Sequence, residues 1–126
     1  MNACILVVDD NATNLKLASE VLQIEGHEVL HAADADEALA LLGRKRPDLI
    51  LMDIALPGMD GLELTRLLKA SLDLRSVPII ALSAFAMKGD EEKALACGCD
   101  GYITKPINTR TFPTQILAFL RKDPAP

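Results

Sequence analysis

The sequence predicts an α/β domain: a doubly wound, five-stranded parallel sheet with five helices. Three observations predict it. Short apolar runs alternate five times with segments whose apolar residues recur at helical spacing. The runs are mostly unbroken rather than alternating with polar residues, which marks strands covered on both faces, as in a parallel sheet. Most of them close on a polar residue, which a parallel sheet would gather along one edge.

Cys4-Ile5-Leu6-Val7-Val8 is the first strand and stops at Asp9-Asp10. Leu15, Ala18, Val21 and Leu22 form the stripe of the first helix, which Gly26 ends. His27 to His31 is a shorter, less apolar second strand. Ala35, Ala38, Leu39, Leu41 and Leu42 give the second helix, closed near Gly43 and Pro47. Leu49-Ile50-Leu51-Met52 is a buried third strand that stops at Asp53. Leu56-Pro57-Gly58-Met59-Asp60-Gly61 is dense in turn formers, and Leu62 to Leu72 reads as the third helix. Pro78 to Leu82 is the fourth strand, ending at Ser83; a fourth helix runs from about Met87 to Cys97 and stops at Gly98. Gly101-Tyr102-Ile103-Thr104 is the fifth strand, followed by Lys105-Pro106, and the last helix spans about Arg110 to Lys122. No repeat, linker or low-complexity segment interrupts this, so 1–126 reads as one domain with a short tail at about 122–126.

Composition narrows the function classes. Half of the 126 residues are hydrophobic but only 3% aromatic, so the core is aliphatic, and composition argues against disorder because burial can offset ordering entropy. A net charge of −5 without a basic cluster is a poor nucleic-acid footprint. No apolar run approaches the roughly 18 residues of a membrane helix, and Met1-Asn2-Ala3-Cys4 leads straight into a strand with no signal-like region. The expectation is a cytoplasmic protein without membrane insertion. Three cysteines make no paired framework, and Cys97 and Cys99 read as buried thiols rather than metal ligands.

Chemistry collects where the strands end. In a doubly wound sheet, ligands bind outside the carboxyl ends of the strands, where the strand order reverses. Asp9, Asp10, Asp53, Ser83 and Lys105 all follow or end strands and converge on that edge. Each has a plainer reading: Asp10 or Asn11 caps the first helix, Ser83 caps the fourth or fills a loop, and Lys105 is a surface lysine. Jointly they do more. Three carboxylates around one ammonium need a counter-ion, and Mg²⁺ is the hard cation that carboxylates and phosphate oxygens hold. An aspartate can take up a phosphoryl group as an acyl phosphate. Mg²⁺ on Asp9, Asp10 and Asp53, the Lys105 ammonium and the Ser83 hydroxyl would then each serve one equatorial oxygen.

The set Val8-Asp9-Asp10-Asn11, Asp48 to Asp53, Leu56 to Gly61, Ala81-Leu82-Ser83-Ala84 and Tyr102 to Pro106 resembles the receiver domain of bacterial two-component response regulators. The resemblance spans residues 3 to about 121. The run 84–92 further resembles stand-alone regulators of polar differentiation, and also receivers of hybrid kinases. It implies a flavodoxin-like (CheY-like) fold with strand order 2-1-3-4-5. It implies Asp53 as phosphoacceptor from a sensor histidine kinase or phosphotransfer protein, with Asp9, Asp10, Asp53 and the Ala55 backbone carbonyl on Mg²⁺. It further implies Lys105 as the phosphate-sensing lysine, Ser83 and Tyr102 as the switch pair, and a cis peptide at Lys105-Pro106. The implied readout is a downstream protein bound by the face of the fourth helix, fifth strand and fifth helix, from a monomer or a weak phosphorylation-dependent dimer. Ala55 departs from the many members that carry a longer or polar side chain there, and Ser83 stands where Thr is commoner.

An aspartate-nucleophile phosphatase would need a second acid two residues after the nucleophile, where Ala55 stands. A flavin carrier would need a hydroxyl-rich phosphate loop after the first strand and aromatic rings to stack, and there is no Trp and one Tyr. The remaining alternative is a receiver domain excised from a larger hybrid kinase or regulator.

Overall fold

The computed structural model describes residues 3–54, 56, 58, 60–83, 88–105 and 107–120. Strands β1 (Cys4–Val8), β2 (Glu28–Ala32), β3 (Leu49–Asp53), β4 (Ile79–Ser83) and β5 (Gly101–Thr104) alternate with helices α1 (Ala12–Ile24), α2 (Ala35–Leu42), α3 (Gly61–Lys69), α4 (Lys88–Ala96) and α5 (Phe112–Leu120). The sheet is parallel throughout, in the order β2-β1-β3-β4-β5. The chain therefore turns back beside β1, and the crevice between β1 and β3 is the switch point of a doubly wound sheet.

The two faces of the sheet sort the apolar residues by parity, as a period of two requires. Leu6, Val8, Ile50, Met52, Ile79 and Ala81 pack with Ala35 and Ala38 of α2, Leu64 and Leu68 of α3 and Ala94 of α4. Ile5, Val7, Leu49, Leu51, Ile80, Leu82 and Ile103 pack with Ala18 and Leu22 of α1 and Phe112 and Ile116 of α5. Every residue of β1, β3 and β4 is buried, which is why these runs carry no polar alternation. The edge strands β2 and β5 keep exposed positions. No helix among the described residues is long and apolar enough to cross a membrane.

Several boundaries differ from the sequence reading, each for a local reason. Of the two residues read as able to cap α1, Asn11 is the one that does: its side chain accepts the Asn14 N–H at 3.0 Å. α3 stops at Lys69 instead of Leu72, because the Lys69 ammonium folds back onto the Arg75 and Val77 carbonyls at 3.2 and 3.0 Å and pairs with Asp100 at 2.8 Å. Asp100 also accepts the Ile79 N–H at 2.9 Å, so one ion pair pins the entries to both β4 and β5. β4 runs one residue later than read and includes Ser83. β2 begins at Glu28 because His27 turns into the core, where its Nδ1 accepts the Ala3 N–H at 3.1 Å.

That His27 bond works only with a neutral ring. Burial pushes the His27 pKa below its ordinary 6.5, against a weaker upward pull from Glu25. The unfolded chain then binds the proton more readily than the folded one, so stability is full above pH ~6.5 and falls as the pH drops through that value. In urea unfolding, His27→Gln is expected to flatten this acid-side slope; an unchanged slope would locate the proton elsewhere.

Candidate functional site

The parallel register brings the strand ends side by side: Val8 is opposite Met52, Asp53 opposite Leu82, and Ser83 opposite Thr104. Asp9, Asp53, Ser83 and Lys105 therefore share the carboxyl edge, as the sequence predicts. Backbone bonds fix them there: Asp9 N–H donates to Ala32 O at 3.0 Å, Ile54 N–H to Leu82 O at 3.2 Å and Lys105 N–H to Ser83 O at 2.7 Å.

Asp9, Asp53 and Ser83 are buried, with 0, 4 and 1% of their surface exposed, whereas Asp10 faces solvent. Asp9, Asp10 and Asp53 each place a carboxylate oxygen within 4.8 Å of the others. The Lys105 ammonium lies 2.9 Å from Asp9 Oδ2 and 3.1 Å from Asp53 Oδ2. Burial by itself lowers the Lys105 pKa, but its contact with Asp9 and the charge of Asp53 outweigh that and hold it above its ordinary value. The ammonium donates to Asp53. Toward Asp9 it is a close charge without hydrogen-bond alignment, and no donor among the described residues is aligned on the buried Asp9 Oδ2. The other Asp9 oxygen accepts the Asn11 N–H at 2.9 Å.

One ammonium does not neutralise three carboxylates. A buried oxygen without an aligned donor, inside an all-oxygen donor set, fits a hard divalent cation such as Mg²⁺. A buried carboxylate with a neighbouring ammonium and a hydroxyl at the same strand edge can seat a phosphoryl group against Asp53. Tyr102 sits half-buried on β5, packed against the face that holds α2, α3 and α4 and opposite Ala81 in the register. Ala55, expected to lend its carbonyl, and Pro106 of the expected cis peptide lie outside the described residues.

The cysteine reading agrees with the structure: Cys4, Cys97 and Cys99 are buried free thiols. Burial pushes the Cys99 pKa to about 11, so it is an inert group beside Thr65.

Gly61 is the residue that sequence reading undervalued, as a mere turn former. It opens α3, and a Cβ placed on it would overlap the Asp53 carbonyl oxygen and lie 2.7 Å from Ile54 Cα. The available signal was a glycine in the first turn of a helix, where its propensity is poor.

Residues 5–117 match the family description of the response regulator receiver domain. The chain is 45% identical over 120 residues to the polar-differentiation response regulator DivK of Brucella anthropi, covering 95% of this chain and 98% of that one. DivK of Brucella ovis is 44% identical with the same coverage. Among solved structures, the chemotaxis response regulator CheY4 of Vibrio cholerae superimposes with a TM-score of 0.89 at 30% identity, over 94% of this chain and 99% of that one. The receiver domain of sensor histidine kinase PA1611 from Pseudomonas aeruginosa gives 0.86 at 36% identity, over 95% and 98%; that structure has a magnesium ion coordinated in its active-site cleft.

Proposed function

This chain belongs to the response regulator receiver domain family, and on that premise we propose that Asp53 is its phosphoacceptor, supplied by a sensor histidine kinase or phosphotransfer protein. As a receiver of DivK type it is a signalling switch, not an enzyme turning over a small substrate. The observation that carries the assignment of Asp53 is its burial at the strand end, against the Lys105 ammonium and beside Asp9 and Asp10.

An Asp53 carboxylate oxygen attacks phosphorus in line. The new O–P bond forms as the donor's N–P bond breaks, and the imidazole nitrogen leaves with the electron pair and takes a proton. Lys105, already 3.1 Å from Asp53, pairs with one phosphoryl oxygen, and the Ser83 hydroxyl donates to another. Asp9, Asp10 and Asp53, with the Ala55 carbonyl, would hold Mg²⁺, which when bound neutralises charge on the transferred group. In this way the chain assists its own phosphorylation and dephosphorylation.

Phosphorylation adds charge and acceptor oxygens at the edge. Ser83 is drawn toward them, Tyr102 turns inward, and the face of α4, β5 and α5 changes shape for a downstream protein partner. The domain acts in the cytoplasm as a monomer or a weak phosphorylation-dependent dimer, without direct nucleic-acid contact. Amide hydrogen exchange with Mg²⁺ and beryllofluoride, a phosphoryl mimic, tests this. Protection is expected to change by about tenfold, or 1.4 kcal/mol, around Ser83, Tyr102 and α4. Beryllofluoride bound with identical exchange there would remove the switch.

A further inference from the structure

We infer that Gly61 is a positioning residue for the site: the absence of a side chain at 61 sets where Asp53 and the backbone after it lie. The inference rests on the reading of Asp9, Asp10 and Asp53 as the metal and phosphoacceptor centre. All parts of Gly61 are engaged. Its N–H donates to Ile54 O at 3.3 Å, and its carbonyl accepts from Thr65 Oγ1 at 2.8 Å. Its Cα leaves no room for a methyl group, which would overlap the Asp53 carbonyl oxygen and sit 2.7 Å from Ile54 Cα and 2.9 Å from the Asp53 carbonyl carbon.

Something must move if a side chain is added, and α3 is not the part free to do so. Leu64 and Thr65 in its first turns are fully buried, Leu68 is 2% exposed, and Asp60 caps the helix by accepting the Glu63 N–H at 2.9 Å. The strain is therefore shared by Asp53-Ile54 at the strand end, where the carboxylate stands 3.1 Å from Lys105 and within 4.8 Å of its acidic neighbours. Metal and phosphoryl chemistry are sensitive to displacements of about 0.5–1 Å.

Gly58 supplies a matched control in the same loop. It holds φ at +73°, so alanine there strains the backbone, yet the added Cβ meets nothing within 4 Å. The experiment titrates Mg²⁺ into wild type, Gly61→Ala and Gly58→Ala by isothermal calorimetry, with circular dichroism and urea unfolding reporting the fold. Gly61→Ala is expected to bind Mg²⁺ at least about tenfold more weakly, and Gly58→Ala within about twofold of wild type, though both lose stability. Equal affinity of wild type and Gly61→Ala would overturn the inference, as would an equal loss in both variants. If Gly61→Ala does not fold, Thr65→Val decides: losing the hydroxyl bond that helps hold the Gly61 carbonyl is expected to weaken Mg²⁺ binding about two- to fivefold, and unchanged affinity overturns the inference. Wild type failing to bind Mg²⁺ would instead remove the metal-centre reading beneath it, and the positioning role with it.

Discussion

Asp53→Asn is expected to take up phosphoryl groups from acetyl phosphate at less than about one hundredth of the wild-type rate, because an amide oxygen lacks the charge and nucleophilicity of a carboxylate. The substitution preserves shape in a strand that is buried from end to end. Lys105 keeps Asp9 at 2.9 Å, so the ammonium retains an anionic neighbour. The loss is therefore chemical: urea unfolding should shift by no more than about 1 kcal/mol. Wild-type uptake in Asp53→Asn, in a folded protein, would move the phosphoacceptor to another residue.

Lys105→Met acts on stability instead. It leaves the Asp9 and Asp53 carboxylates, with side chains 1 and 6% exposed, without their cation. Breaking a fully buried pair costs about 3–5 kcal/mol; with the Lys105 side chain still 13% exposed, about 2–3 kcal/mol is expected in metal-free buffer. Saturating Mg²⁺ should raise the melting temperature of Lys105→Met more than that of wild type, since a second cation then matters more. The pH dependence has a definite sign. Because the folded Lys105 pKa is raised above 10.5, its contribution is complete below that value and is lost as pH rises through the folded pKa. Wild type should thus lose stability on the alkaline side by a route that Lys105→Met lacks. Equal stability of the two proteins without metal would show that the contact contributes nothing net.

Much of this was legible in the residues. Cys4–Val8 is recovered residue for residue and β3 to within one residue, because a strand buried on both faces is apolar almost throughout; Asp9 follows the end of β1, and Asp53 is the last residue of β3 rather than the one after it. The convergence of Asp9, Asp53, Ser83 and Lys105 follows from parallel topology alone. What escaped depends on partners distant in sequence. His27 looks like a strand residue until its ring meets Ala3, and Leu72 looks helical until Lys69 turns back onto Arg75, Val77 and Asp100. Leu72 ends up 77% exposed, an apolar residue that helical periodicity alone would have buried. Gly61 escaped for the same reason: its neighbour Asp53 is brought to it by the fold, and a turn-rich stretch does not say which glycine has no room.

The central claim is that Asp53 forms an acyl phosphate with Mg²⁺, and the most direct measurement is of the wild-type chain itself. Acetyl phosphate is added with and without Mg²⁺, and the intact mass is read. Borohydride reduction of the adduct then maps the modified residue. The account predicts one phosphoryl group per chain, dependent on Mg²⁺ and mapped to Asp53. An adduct on another residue, or one that forms equally well in chelator, would contradict it.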